Sequence, residues 1–218
     1  MTDLDPLFAA ARQPLPVAGV TVGVVTNNRD PKHLARVKVK FPALSATLES
    51  AWASVVTPMA GNERGMHVLP EAGDTVVVAF EDGDVNRPFV LGGFWSQRTR
   101  PPQVPEPAAD HRVLRSRSGH EIHLDDTSGA ERIDIVDKSG HNRISIETAT
   151  NTITVQAAGP VKVSADGDLE IAAKGAVSIS GQRVSIEARA DIEIAAKTSG
   201  TLRSSGALTV RGATVDIN

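Results

Sequence analysis

Two histidines and two aspartates lie close together in Ser118-Gly-His-Glu-Ile-His-Leu-Asp-Asp126. Imidazole nitrogens and carboxylate oxygens are the donor set of a divalent transition-metal site. The spacing works against a shared ion. His120 and His123 are three positions apart, and on a strand such residues face opposite sides. A structural turn is therefore the expected role of His120, His123, Asp125 and Asp126, with no bound metal. A second candidate, Asp82-Gly-Asp-Val-Asn86, opens like a calcium loop. It has Arg87 where such a loop needs glycine and Gly93 where it needs a bidentate glutamate, so a hairpin turn is expected there. The chain contains no G-x-S-x-G, no P-loop and no H-E-x-x-H pattern. No catalytic residue and no cofactor site stand out, and the expectation is a non-enzymatic protein.

Charge and composition narrow the field further. Net charge is −3 and no basic tract occurs, which argues against a nucleic-acid footprint. Cysteine is absent, so neither disulfides nor thiolate metal sites hold the fold. The first residues, Met1-Thr-Asp-Leu-Asp-Pro, show neither a basic n-region nor an apolar h-region, and no apolar run is long enough to span a membrane as a helix. The expectation is a protein without a signal peptide, cytoplasmic as synthesised.

The elements that would position any site fall into two contrasting halves. All seven aromatic residues precede residue 96, and twelve of the thirteen prolines precede residue 108, Pro160 being the exception. The back half cannot build a thick core. It needs aliphatic stacking along an axis, and its few prolines let a backbone ladder run on. Asp5-Pro6 followed by Leu7-Phe8-Ala9-Ala10-Ala11-Arg12 reads as a short helix or a docking arm over residues 1–16. Residues 17–95 read as short strands: Val20–Val25, Arg36–Phe41, Ala51–Val56, Gly65–Leu69, Thr75–Phe80 and Pro88–Gly92, each bounded by Gly, Pro, Asn or Asp. Within the second, Val37, Val39 and Phe41 alternate onto one face. Five or six such strands in this length suggest a small closed barrel. Residues 96–112 are a proline-rich linker. Residues 113–150 resume the strands at wider spacing, with Gly119, Gly129 and Gly140 at turns.

From residue 151 a regular beat sets in. Aliphatic pairs with one residue between them recur at Ile153/Val155, Val161/Val163, Leu169/Ile171, Val177/Ile179, Val184/Ile186, Ile192/Ile194, Leu208/Val210 and Val215/Ile217, with a degraded slot at Gly200/Leu202. The step is eight residues, shortened to seven at Val184 and Val215. The residue inside each pair is polar, from Thr154 and Lys162 to Asp216. An in-out-in triplet marks a strand with one buried face, and equal strands joined by small-residue corners make a solenoid. Two windings fit: one chain coiling three strands per turn, or three chains winding together. Periodicity alone leaves both open.

The order of motifs carries a resemblance. The segments Gly23-Val-Val-Thr-Asn-Asn-Arg-Asp-Pro31, Ala35-Arg-Val-Lys-Val-Lys-Phe-Pro42, Thr57-Pro-Met-Ala-Gly61, Leu69-Pro-Glu-Ala-Gly-Asp74, Val78-Ala-Phe-Glu-Asp-Gly-Asp84 and Arg87-Pro-Phe-Val-Leu-Gly92 resemble the oligosaccharide/oligonucleotide-binding (OB) barrel of contractile-tail central spikes. That family includes phage baseplate spikes and the VgrG proteins of type VI secretion. Ser118–Asp126 resembles the signature that opens the family's β-prism. The resemblance implies an all-β chain, an N-terminal OB barrel followed by a C-terminal intertwined trimeric β-helix. It implies a homotrimer whose core is formed by Ile153, Val155, Val161, Val163, Leu169, Ile171, Val177, Ile179, Val184, Ile186, Ile192, Ile194, Leu202, Leu208 and Val210.

The implied function is a membrane-piercing spike within an assembled contractile particle, with a baseplate hub protein at the barrel. Some family members carry a lysozyme domain between barrel and prism, for which the linker has no room. Some end in a His-x-His pair holding iron, where this sequence ends Thr214-Val-Asp-Ile-Asn218. The expectation is a tip protein of the proline-alanine-alanine-arginine (PAAR) repeat type docked on Val215, Ile217 and Asn218. The alternative from another class is a single-chain β-helix acting as a carbohydrate-active enzyme or glycan-binding protein.

Overall fold

A computed structural model describes residues 19–43, 47 and 49–217. The expected arm over residues 1–16 and the tip residue Asn218 lie outside them. The described chain is all-β apart from two single 3₁₀ turns, Glu81–Gly83 and Ala108–Asp110. It divides into two units, residues 1–160 and 161–218.

The first unit begins with seven strands: β1 (Val20–Asn27), β2 (Arg36–Lys40), β3 (Ala53–Val55), β4 (Ala60–Gly61), β5 (Arg64–Gly65), β6 (Thr75–Phe80) and β7 (Pro88–Gly93). Five of them close a barrel in the order β1-β2-β3-β7-β6, with β6 returning to β1. All pairings are antiparallel except β3 with β7. Period-two alternation decides what goes inside. Val37 and Val39 on β2, Val76, Val78 and Phe80 on β6, and Val25, Phe41, Ala53 and Val90 form the buried core. The Phe41 and Phe80 rings meet at 5.5 Å between centroids, tilted by 59°, a favourable aromatic geometry.

One expected strand is absent. After Gly65, Met66 returns a single backbone bond to Met59, and its carbonyl accepts from the Thr57 hydroxyl at 2.7 Å. Residues 66–69 pair with no other strand, and Met66 and Val68 are exposed. The neighbouring β3 is already flanked by β2 and β7, so no free ladder is left for them.

The β1–β2 loop is built around one carboxylate. Asp30 accepts the backbone N–H groups of Lys32 and Leu34, both at 3.0 Å, and both arms of Arg36 at 2.8 Å. This network holds His33 and Ala35 at left-handed φ values of 55° and 57°, where non-glycine residues need support.

Beyond the linker the chain forms five strands of five residues each: β8 (His111–Arg115), β9 (Glu121–Asp125), β10 (Arg132–Val136), β11 (Arg143–Glu147) and β12 (Thr152–Gln156). They make an antiparallel meander in the order β12-β11-β10-β9-β8. Register runs through all five strands without a bulge.

In the second unit, residues 161–217 form no strand with any other described part of the chain. The backbone bends at Asp166-Gly167, Lys174-Gly175, Gln182, Arg189-Ala190, Lys197-Thr198, Ser205-Gly206 and Ala213. These bends fall between the aliphatic pairs, on the same seven-to-eight-residue beat.

Candidate functional site

Uniform register sorts the side chains of the β8–β12 sheet into rows. One face carries Arg112, Leu124, Ile133, Ile146 and Ile153 in one row, and Leu114, Ile122, Ile135, Ile144 and Val155 in another. Nine of these ten positions are aliphatic, and each of the nine is 40–70% exposed. The single charge, Arg112, is ion-paired with Asp126.

The opposite face is mostly polar, and residues are buried on it at only three positions. Asp125, Asp134 and Ser145 are buried there. His111 Nδ1 lies 3.0 Å from His123 Nε2 and 3.5 Å from Asp125 Oδ1. Arg132 reaches Asp125 and Asp134, each at 3.3 Å, and Arg143 lies 3.8 Å from Asp134. Asp134 Oδ1 has no hydrogen-bond partner among the described residues. The Thr127 hydroxyl, and then its backbone N–H, hold the Asp125 carboxyl below its ordinary value against the opposing effect of burial. A globular domain normally hides the apolar face of a sheet and wets the polar one. Here the apolar face is the exposed one, the character of an interaction surface.

The metal-ligand candidates do not converge. His120 sits in the β8–β9 turn, its Nδ1 accepting the Lys138 N–H at 3.2 Å. His123 points to the polar face, and Asp126 belongs to Arg112. Among the described residues no group of three or more His, Asp or Glu side chains gathers as a metal site. The Asp82–Asn86 stretch is a self-satisfied turn between β6 and β7. Asp84 accepts the Asn86 N–H at 2.9 Å, and Glu81 pairs with Arg87. A cleft beside Phe94 and Trp95 holds Arg100, Arg115 and Arg117. Two of the three are neutralised, Arg115 by Glu121 and Arg117 by Glu71.

Of the residues expected in a trimer core, Ile153 and Val155 lie on β12 beside Ile146 and Ile144. The others lie in residues 161–217, where the aliphatic pairs are exposed, from 48% for Val215 to 90% for Ile217. Leu114, Ile122, Leu124, Ile133, Ile135, Ile144 and Ile146 were not among them. The same alternation that marked the later pairs marks these. The His111–His123 contact had no sequence signal, because it depends on register between two strands.

Comparison with known proteins places this geometry. Residues 21–95 match the family described as the type VI secretion system/phage-baseplate injector OB domain. The chain is 31% identical over 114 residues to the type VI secretion system spike protein VgrG3 of Vibrio cholerae, covering 46% of this chain and 11% of that protein. It is 30% identical over 131 residues to the spike protein VgrG1a of Pseudomonas aeruginosa, covering 54% of this chain and 20% of that protein. It is 28% identical over 107 residues to the actin cross-linking toxin VgrG1 of Vibrio cholerae, covering 45% and 10%. The chain thus spans a fifth or less of the length of these relatives. The closed five-stranded barrel with its parallel β3–β7 pair and the family match cover the same stretch: residues 21–95 match the injector OB domain, and over the part it shares with these relatives the chain is similar to VgrG spike proteins.

Proposed function

We propose that this chain is the homotrimeric central spike of a contractile injection apparatus, and that residues 151–218 wind with two further copies into a triangular β-helix. The observation that carries the reading is the unpartnered aliphatic stripe of residues 161–217, in a chain whose barrel matches the injector OB domain. A single-chain coil would pair each triplet with another in the same chain, and no such ladder exists among the described residues. Three chains, each supplying one side of the prism, cover every pair with its counterparts. At ~4.8 Å per strand level, nine levels give a stem of roughly 40–45 Å.

The function is mechanical and non-enzymatic: a stiff, narrow rod concentrates a contraction force on a small area of target membrane. A baseplate hub protein sits on the barrel, and a PAAR-type tip protein caps Val215, Ile217 and Asn218. Mass measurement in solution tests the core of this reading. Sedimentation should give three times the chain mass. A folded, monodisperse monomer would sink it.

A further inference from the structure

We infer that the β8–β12 sheet, rather than the stem, determines trimer formation, with the stem closing afterwards from residue 161 towards the C-terminus. This rests on the trimeric reading above and names the surface that brings the copies together. The occupant of the bare apolar face is the same face of two further copies of this chain.

Three observations carry it. First, the sheet is finished within one chain. Its ladder joins all five strands, and the turns are tied by bonds such as Gly140 N–H to the Asp137 carbonyl. Docking finished sheets costs little conformational entropy, whereas residues 161–217 must be ordered as they pair. Second, the nine aliphatic side chains, each 40–70% exposed, form one continuous apolar face that no other described part of the chain covers. Third, the face suits a like partner. Its one charge, Arg112, is already paired with Asp126, so identical faces meet without unmatched like charges. Ile153 and Val155 are also the first pair of the eight-residue repeat, so the phase of the face continues in sequence into the stem stripe. A foreign protein would have to match that repeat along its whole length, while a second copy does so by identity.

Full-length variants distinguish the two surfaces. Ile135→Asp with Ile144→Asp places two carboxylates on the face while disturbing no residue buried within the chain. It should sediment as a monomer, with the near-ultraviolet signal of Trp52 and Trp95 retained. Ile179→Asp with Ile186→Asp should stay trimeric and lose protease resistance only in the stem. A third variant keeps the test open should the charged neck fail to fold. The chain has no cysteine, so Ile144→Cys should give disulfide-linked dimers on oxidation, and absence of any link would count against the face. A trimeric wild type whose neck double variant also stays trimeric, or whose stem variant is monomeric, overturns the inference and leaves the spike reading intact. A monomeric wild type overturns the spike reading itself.

Discussion

Gly23 sits in β1 where the barrel wall passes over its own core. A Cβ added there would lie 2.1 Å from Val39 Cγ1 and 3.1 Å from the Lys40 carbonyl oxygen. Val39 is fully buried, so it has nowhere to retreat. Gly23→Ala should therefore destabilise the barrel by about 1–3 kcal/mol, as overpacking does, read as a lower denaturant midpoint at unchanged slope. Carboxylates set the acid limit. Asp30 is held well below the usual carboxylate range, first by the Arg36 hydrogen bonds, against burial, and then by the Lys32 and Leu34 amides. The Asp137 carboxyl is brought down to about 2, first by the Ser139 hydroxyl and then, against burial, by Asn142. Both folded values lie below the unfolded one. The stability they contribute is full above about pH 4 and is lost as pH falls through the folded values. Acid unfolding of Asp137→Asn should show a shallower limb between about pH 4 and pH 2 than the parent. An unchanged limb would remove Asp137 from the account.

At the scale of elements, the stem predicts a matched contrast. Ser178 lies inside the pair Val177/Ile179; in the proposed prism it takes the outward phase and Ile179 the inward one. Ser178→Lys should leave stem melting and protease resistance near the parent's. Ile179→Lys, one position on, places three ammonium groups in a narrow apolar prism, where unpaired charge is costly. It should open the stem to protease while the barrel stays intact. Equal effects from the two substitutions would show that the alternation does not set the buried face. This rule was the most legible part of the sequence. Val37, Val39 and Phe41 alternate onto one face in the sequence, and all three are buried in the barrel. Residues 66–69 show where alternation fails. Their composition suits a strand, but a strand also needs a free partner, and β3 had none left. The His111–His123 contact escaped for a related reason, since it arises from the register Val113↔His123 and His111↔Asp125 between neighbouring strands. Long-range pairing leaves no mark in local periodicity.

At the scale of the whole molecule, the eight-residue beat would make the proposed stem modular. In the proposed prism each repeat would supply one strand level and one corner, and the bends at Asp166-Gly167 and Lys174-Gly175 bracket one such unit. Removing residues 169–176 takes out the pair Leu169/Ile171 with its corner and joins Asp168 to Val177. Every remaining inward residue keeps its phase, because the excised length is one full repeat. In a repeat architecture each unit touches mainly its neighbours, so the loss should be nearly additive and local. The trimer should persist, with a stem shorter by ~4.8 Å in averaged electron micrographs of negatively stained particles. Removing residues 169–172 instead takes the pair without its corner, bringing two corners together and leaving Val177 half a repeat out of step. That variant should lose the ordered stem beyond Val163 while the barrel and the neck sheet remain folded. If both deletions are tolerated alike, the beat is a feature of composition rather than of a wound prism. If neither is tolerated, the stem is a single cooperative body and its repeats are not separable levels.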